Sequence, residues 1–344
     1  MRAFLITAVL FASTAAAHAQ ASLKLPDQSP AASVSQTVGL TDITVQYHRP
    51  AVNGRVIWGK LVPYGEPWRT GANENTLITF STDVKINGKP LAAGTYGFHA
   101  QPTAKDWTLM FSKATQSWGS FSYDQKEDVL RVSVTPRRLA ANEERLIYRF
   151  DEPSETKATL VLAWEKLAVP LTIEVDTPHI VMESVRQQLR GPAGFSWQGA
   201  AQAANYWLKH DGPIDEALSL ADRSIATQET YRNLSIKADI LDKKGDAKGA
   251  GELRAHAQAI ATEQDIFGAA YRLVNDKKYD DAIKILSANV EKHPDSANGH
   301  ANLGDAYAAK GNKQAAIASY NKAIGLAKEP NQKKQIQDAL AKVK

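Results

Sequence analysis

The chain of 344 residues contains no cysteine. A disulfide framework, a thiolate metal site, a cysteine nucleophile and a cysteine-linked lipid anchor are therefore excluded. Charge of one sign is also lacking. Lysine and arginine number 41 against 37 acidic residues, a formal net charge of +4. That is too small and too evenly spread to argue for nucleic acid. Catalytic and metal motifs are sparse. There is no Gly-x-Ser-x-Gly elbow, no His-Glu-x-x-His or His-x-His spacing and no phosphate-cradling glycine loop. Ser154 to Lys157 fits a bare Ser-x-x-Lys pattern, but in a charged turn. No metal and no cofactor are expected.

What is present is an ordinary globular composition, 43% hydrophobic and 23% charged, over a length suited to two domains. The first residues address the compartment. Arg2 opens a short positive start, Ala3 to Ala17 is small and apolar, and Ala17-His18-Ala19 forms a small-x-small site before Gln20. Residues 1–19 read as a secretory signal peptide. The apolar run is short of the ~20 residues a spanning helix needs, so a membrane anchor is disfavoured and no other segment reaches that length. The mature chain is expected to pass the inner membrane and work in the periplasm or outside the cell, with no membrane span.

Residues 20–176 read as one β domain, with an extended lead-in from Gln20 to Pro30 after which the pattern becomes period two. Asp42 to His48 alternates, with Ile43, Val45 and Tyr47 on one face and Thr44, Gln46 and His48 on the other. Further strands are expected at 76–81, 83–86, 93–99, 106–111, 129–135, 146–150, 160–164 and 171–175. Asn87-Gly88 signals a hairpin, since both central positions of that turn need positive φ. Short strands with turn signals between them predict an antiparallel β-sandwich, jelly-roll-like in type, or a barrel.

Near Pro178 the period changes. Residues 177–197 read as a linker able to carry a helix over 179–190, closed by Gly191-Pro192 and Gly194. Residues 198–330 repeat. Leu303, Gly304 and Tyr307 fall on one helix and Ala316, Tyr320 and Ala323 on the next, with Gly311-Asn312 as the turn. Earlier copies place Ala269, Ala270, Leu273, Ala282, Leu286 and Asn289, then Ala238, Leu241, Ala250 and Ala257, then Leu208, Ala217 and Ala221. This order resembles the tetratricopeptide repeat, which implies an all-α superhelix of four two-helix units. Residues 331–344 read as a polar capping helix.

The β half carries a second resemblance. Gln28-Ser29-Pro30, Tyr47-His48-Arg49-Pro50, the run Gly54 to Gly59, Val62-Pro63-Tyr64-Gly65, the run Trp68-Arg69-Thr70-Gly71-Ala72-Asn73 with Thr76, Ala93-Gly94-Thr95-Tyr96 and Trp118-Gly119 follow one another. Together they resemble a family of exported bacterial proteins known as domain of unknown function 2911, over about residues 25–175. The resemblance assigns no activity, substrate or catalytic residue.

Candidate site residues fall in two places. The stretch 47–76 gathers Tyr47, Arg49, Arg55, Trp58, Trp68, Arg69 and Asn73 in loops punctuated by proline and glycine. Its arginines suit carboxylate or phosphate and its tryptophans offer stacking faces. A small anionic or sugar-like ligand is the expectation here. His48 is the candidate general base, though a lone strand-end histidine serves more often as a satisfied polar residue. Asp124, Glu127 and Asp128 with Arg131 read as a solvated acidic turn. In the helical half, repeat position places Tyr206, Asp239, Tyr271 and Asp305 on a concave surface for a protein or peptide partner. The preferred function is an exported, non-enzymatic binding or scaffold protein. The alternative is a periplasmic enzyme, such as a hydrolase, acting on a sugar-like or anionic substrate through the loops from Tyr47 to Asn73. That alternative requires His48 or a carboxylate to meet free arginines.

Overall fold

The computed structural model describes residues 25–343. The segment read as a signal peptide lies outside them. The chain divides into two compact units, Met1–Thr177 and Pro178–Lys344.

The first unit is built from β1 (Ala31–Val38), β2 (Thr41–His48), β3 (Thr76–Phe80), β4 (Val84–Ile86), β5 (Lys89–Leu91), β6 (Gly94–Gln101), β7 (Trp107–Ser112), β8 (Asp128–Val134), β9 (Arg137–Asp151) and β10 (Lys157–Glu174). All pairings between these strands are antiparallel. One sheet has six strands in the order β1-β2-β3-β6-β7-β8, and the other four in the order β5-β4-β10-β9. The first sheet is a meander with a single excursion, in which β4 and β5 leave to join the second sheet. Their hairpin turns at Asn87-Gly88, with φ of 48° and 80°. Both angles lie in the left-handed region that asparagine tolerates and glycine adopts freely.

Alternation on β2 works as the sequence implies, burying Ile43, Val45 and Tyr47. Ile43 lies opposite Phe80 and Val45 opposite Ile78, so one face of the sheet is continuous. The two sheets share one core, where Phe98 and Leu109 of the first face Tyr148, Leu160, Leu162 and Leu171 of the second. Burying a leucine or phenylalanine fully contributes ~1.5–3 kcal/mol, so this layer carries much of the unit's stability.

The second unit is helical. After α1 (Thr177–Gln188) come α2 (Trp197–Lys209), α3 (Ile214–Thr227), α4 (Tyr231–Lys244), α5 (Ala247–Ile260), α6 (Glu263–Asn275), α7 (Tyr279–Lys292), α8 (Ala297–Lys310), α9 (Lys313–Leu326) and α10 (Pro330–Val343). The starts are capped in the sequence. Ser196, Asp246, Ser296 and Asn312 each accept from a backbone N–H of the first turn, and Thr230 and Thr262 form reciprocal capping boxes. Buried alanines such as Ala204, Ala221, Ala282 and Ala316 let paired helices approach closely. The helices pair in tetratricopeptide-like order, α2 with α3 through to α8 with α9, and α10 packs behind α9.

The segment expected as a linker is built into this unit. Met182 of α1 joins the core cluster of Ala204, Trp207, Ala217 and Ile240, with Val185 and Leu189 packed against it. Met182, Val185 and Leu189 recur at helical spacing and form one apolar stripe. Arg186, on the same helix, donates from Nε and Nη2 to Glu216 at 2.8 and 2.6 Å.

Candidate functional site

The loops from Arg49 to Asn75 are held by their own polar groups. Arg49 donates from Nε to the Leu146 carbonyl at 3.0 Å. Arg55 donates from Nε to the Val52 carbonyl at 3.1 Å and from Nη2 to that of Ala51. Asn73 adopts φ of 57° and donates from Nδ2 to Asp27 at 2.7 Å. Tyr47 is buried, with its hydroxyl accepting from the Tyr148 N–H at 3.1 Å. Trp58 meets Trp68, Trp107 and Trp164 edge-on at 4.8–5.8 Å, and Trp68 stacks on Trp164 at 5.9 Å. These side chains pin a long connection onto the sheets, with Arg49 bonded to β9 and the tryptophans packed against β7 and β10. They do not converge on a ligand. His48 Nε2 lies 3.4 Å from the exposed carboxylate of Glu74 and meets no arginine of the cluster in any ion pair or hydrogen bond.

Arg69 differs. Its Nε is buried and has no hydrogen-bond partner among the described residues. Burial holds its guanidinium below the ordinary arginine value. A side chain added at Gly119 would stand 3.6 Å from its Nη1. Close by lies a polar cluster beneath the loop that joins β7 to β8. His99 is 2% exposed, and its Nδ1 lies 3.2 Å from the Ser120 hydroxyl. Burial, with a further push from Arg69 and opposition from Asp128, lowers its pKa to about 4. Its ring leans on Tyr123 at 5.2 Å. Tyr123 donates to Asp128 Oδ2 at 2.5 Å and accepts from Arg131 at 2.8 Å. Burial first, then the bond to Asp128, push the Tyr123 hydroxyl up to about 12.

The expected solvated turn is thus corrected in part. The Asp128 carboxylate is 3% exposed and takes a 2.7 Å bond from Arg131, while its Oδ1 is buried with no partner. Asp128 opens β8 opposite Ser112, at a register shift against β7, and by alternation it shares the face of the buried Val132 and Val134. The cluster escaped sequence reasoning because Arg69, His99 and Asp128 come from three separate segments. The visible signal was a histidine on β6, whose central residues are buried without alternation. Among the described residues no group of three or more His, Cys, Asp or Glu is placed to hold a metal ion.

The helical unit has an open recess of about 510 Å³ crossed by α2, α4, α5, α6 and α7. Asp239 lines it, ion-paired with Arg254 at 2.6 Å. The other expected groove residues lie elsewhere. Tyr206 stacks on His210 at 4.0 Å and faces a separate recess against α1. Tyr271 is exposed outside the recess, and its neighbour Arg272 occupies the lining. Asp305 accepts a 2.5 Å bond from Tyr320 that ties α8 to α9. A step of one residue turns a helix by ~100°, so Asn205 and Arg272 take the places expected for Tyr206 and Tyr271. A second recess of about 740 Å³ shares Tyr231, Arg232 and Arg272 with the first. Among the described residues no helix is long and apolar enough to cross a membrane.

Residues 29–173 match the family model described as a protein of unknown function, DUF2911. The resemblance carried by the Trp68–Asn73 run therefore holds across the β unit. No curated protein matches the chain. Several solved structures match parts of it, each over less than half of the chain. YrrB, described as a TPR protein with an unusual peptide-binding site, is 18% identical, covering 47% of this chain and 84% of its own, with a TM-score of 0.26. A MamA structure from Desulfovibrio magneticus RS-1 is 21% identical, covering 44% and 94%, with a TM-score of 0.23. Another MamA structure is 12% identical, covering 48% and 92%, with a TM-score of 0.26.

Proposed function

We propose that this chain, with a β unit matching a family of unassigned activity and a tetratricopeptide-like helical unit, is an exported scaffold that holds a segment of a partner protein. The observation that carries the reading is the 510 Å³ recess crossed by helices of three successive repeats. Such a depression offers several turns of side chains to one extended segment, the geometry on which repeat arrays build binding surfaces. Ile236, Leu273 and Ile285 supply apolar contact beside charged groups. Export rests on Arg2, the apolar run to Ala17 and the Ala17-His18-Ala19 site.

The enzyme alternative loses its main support. Arg49 is tied through Nε to a carbonyl of β9, and Arg55 through Nε and Nη2 to carbonyls of its own loop. Arg69 keeps a buried Nε with no hydrogen-bond partner among the described residues.

The test is selection of displayed peptides on the mature chain, with Ser235→Trp as the counter-target. Ser235 lines the recess, so an indole there fills it. Peptides enriched on the native chain and lost on the variant support the reading. Enrichment of none, or equal enrichment on both, refutes it.

A further inference from the structure

We infer that the segment held in the helical recess is acidic, and that Arg232 and Arg272 together receive its carboxylates. This rests on the recess being the partner site. Arg232 lies in the first turn of α4 and Arg272 in the last turn of α6, and both line both recesses. They therefore stand where the two depressions meet. Neither makes an ion pair or a side-chain hydrogen bond among the described residues. Three other arginines of the unit are engaged, Arg186 with Glu216, Arg223 with the Gly194 carbonyl, and Arg254 with Asp239 and Asp242, and Arg190 lines neither recess.

The two guanidinium groups also repel each other. Burial first, then the charge of Arg232, hold Arg272 below the ordinary arginine value. Tyr231 and Asp265 oppose that repulsion only in part, and a further carboxylate placed between the two arginines reverses the sign of their interaction. A guanidinium is suited to this, because its planar fork takes a carboxylate by two parallel bonds.

The rest of the lining points the same way. Lys209, Lys278 and Lys284 also line the larger recess and make no ion pair among the described residues. With the two arginines they make five unpaired bases in the larger lining against two unpaired acids, Asp276 and Asp281, a surplus of three positive charges. A polyanion such as nucleic acid fits poorly. The second recess sets Glu229 and Asp265 beside the same arginines, and the chain's net charge is only +4. The ligand chemistry is one or two Asp or Glu side chains flanked by apolar residues, which Ile236 and Leu273 can cover.

The experiment measures fluorescence anisotropy of labelled peptides on the full mature chain. The probe alternates Glu with Leu and Ser, and matched probes replace Glu by Gln or by Lys. The Glu probe is expected to bind ~10-fold tighter than the Gln probe. That preference should shrink as salt rises toward ~1 M, where screening is strong. An Arg232→Gln/Arg272→Gln double variant should lose the preference but still bind the Gln probe. Its melting temperature should stay level or rise, since a repulsive pair has been removed. The charge-keeping Arg232→Lys/Arg272→Lys variant should retain a weakened preference, and it serves if the first variant fails to fold.

Equal binding of the Glu and Gln probes, or a preference that survives the double variant, overturns the acidic assignment while the recess remains a partner site. A melting temperature that falls by several degrees in the Gln variant makes the arginines structural and overturns it too. If no probe binds with or without Ser235→Trp, the partner site itself fails. Saturable stabilisation by inorganic phosphate, with no peptide binding, would replace a peptide groove by a small-anion site and overturn both.

Discussion

At the scale of single residues, the buried cluster of the β unit gives a pH dependence with a definite sign. His99 is held neutral, with its folded pKa near 4 against the ordinary 6.5. Above pH 6.5 the imidazole is neutral in both folded and unfolded chains and contributes no difference. As pH falls below 6.5, the unfolded chain takes up the proton first and is favoured. Stability therefore declines from pH 6.5 and the loss levels off below 4. Between pH 7 and pH 5 the loss is on the order of 2 kcal/mol. Thermal melts of the full chain across that range should show it. His99→Phe, which keeps the contact with Tyr123 but cannot titrate, should flatten the slope. An unchanged slope in His99→Phe would place the acid sensitivity elsewhere. Arg69 also lowers the folded pKa of His99, so Arg69→Met should leave the onset at pH 6.5, raise the pH at which the loss levels off and shrink the total loss.

At the scale of elements, two glycines in the helical unit separate packing from propensity. Gly304 on α8 faces the ring of Tyr320 on α9, and a side chain there would lie 2.8 Å from the ring. Tyr320 is buried and bonded to Asp305, so the ring has little room to yield. Gly251 on α5 is exposed and an added side chain would meet nothing within 4 Å. Replacing glycine by alanine inside a helix gains ~1 kcal/mol of propensity at either site. At Gly304 overpacking costs about 1–3 kcal/mol and meets or exceeds the gain. Gly251→Ala should therefore raise the helical transition, and Gly304→Ala should leave it level or lower it. Urea titrations followed by helical ellipticity give the comparison. A stabilising Gly304→Ala would mean that α8 and α9 are looser than their contact implies.

The elements also show what the sequence disclosed and where it was silent. The alternation of β2 and the Asn87-Gly88 turn were legible because each follows from one local rule. The strand β1 was not, because Ala31 to Val38 is small and polar on a sheet edge that is half exposed. The strand β10 looked like two strands because Glu165 and Lys166 interrupt the apolar run. The structure absorbs them in a bulge, with Glu165 at φ of 53°. The repeats were legible from small residues at fixed spacing. The groove was not, because shifting a helix by one position exchanges Tyr271 for Arg272 at the surface. The tryptophans and arginines of 49–69 were visible as a cluster, but several of their targets, the Leu146 carbonyl and the Trp164 ring among them, lie about a hundred residues away.

At the scale of the whole molecule, the question is where the helical unit begins. A start at residue 198, after the apparent linker, would leave out α1. Compact division of the chain starts the unit at Pro178 instead. The packing of α1 decides between these. Met182 is 6% exposed in the cluster around Trp207, and Val185 and Leu189 cover the same cluster. Burying a methionine contributes ~1.5–3 kcal/mol, and the two partly buried neighbours add to that. The Arg186–Glu216 pair adds less, because both side chains are about a third exposed and exposed pairs contribute ~0–1 kcal/mol. Arg186 also lies 5.5 Å from the ring of Trp207, which stays covered only while α1 is present. Removing α1 thus uncovers an indole and a row of alanines on α2. For a unit of this size each kcal/mol corresponds to ~2–4 °C, so a chain of 198–344 should melt about 5–10 °C below one of 178–344. Calorimetry on the two chains makes the comparison, and Met182→Ala in the longer chain should reproduce part of the loss. Equal melting temperatures would reduce α1 to a tether, and the repeat array would then stand without the helix that covers its first pair.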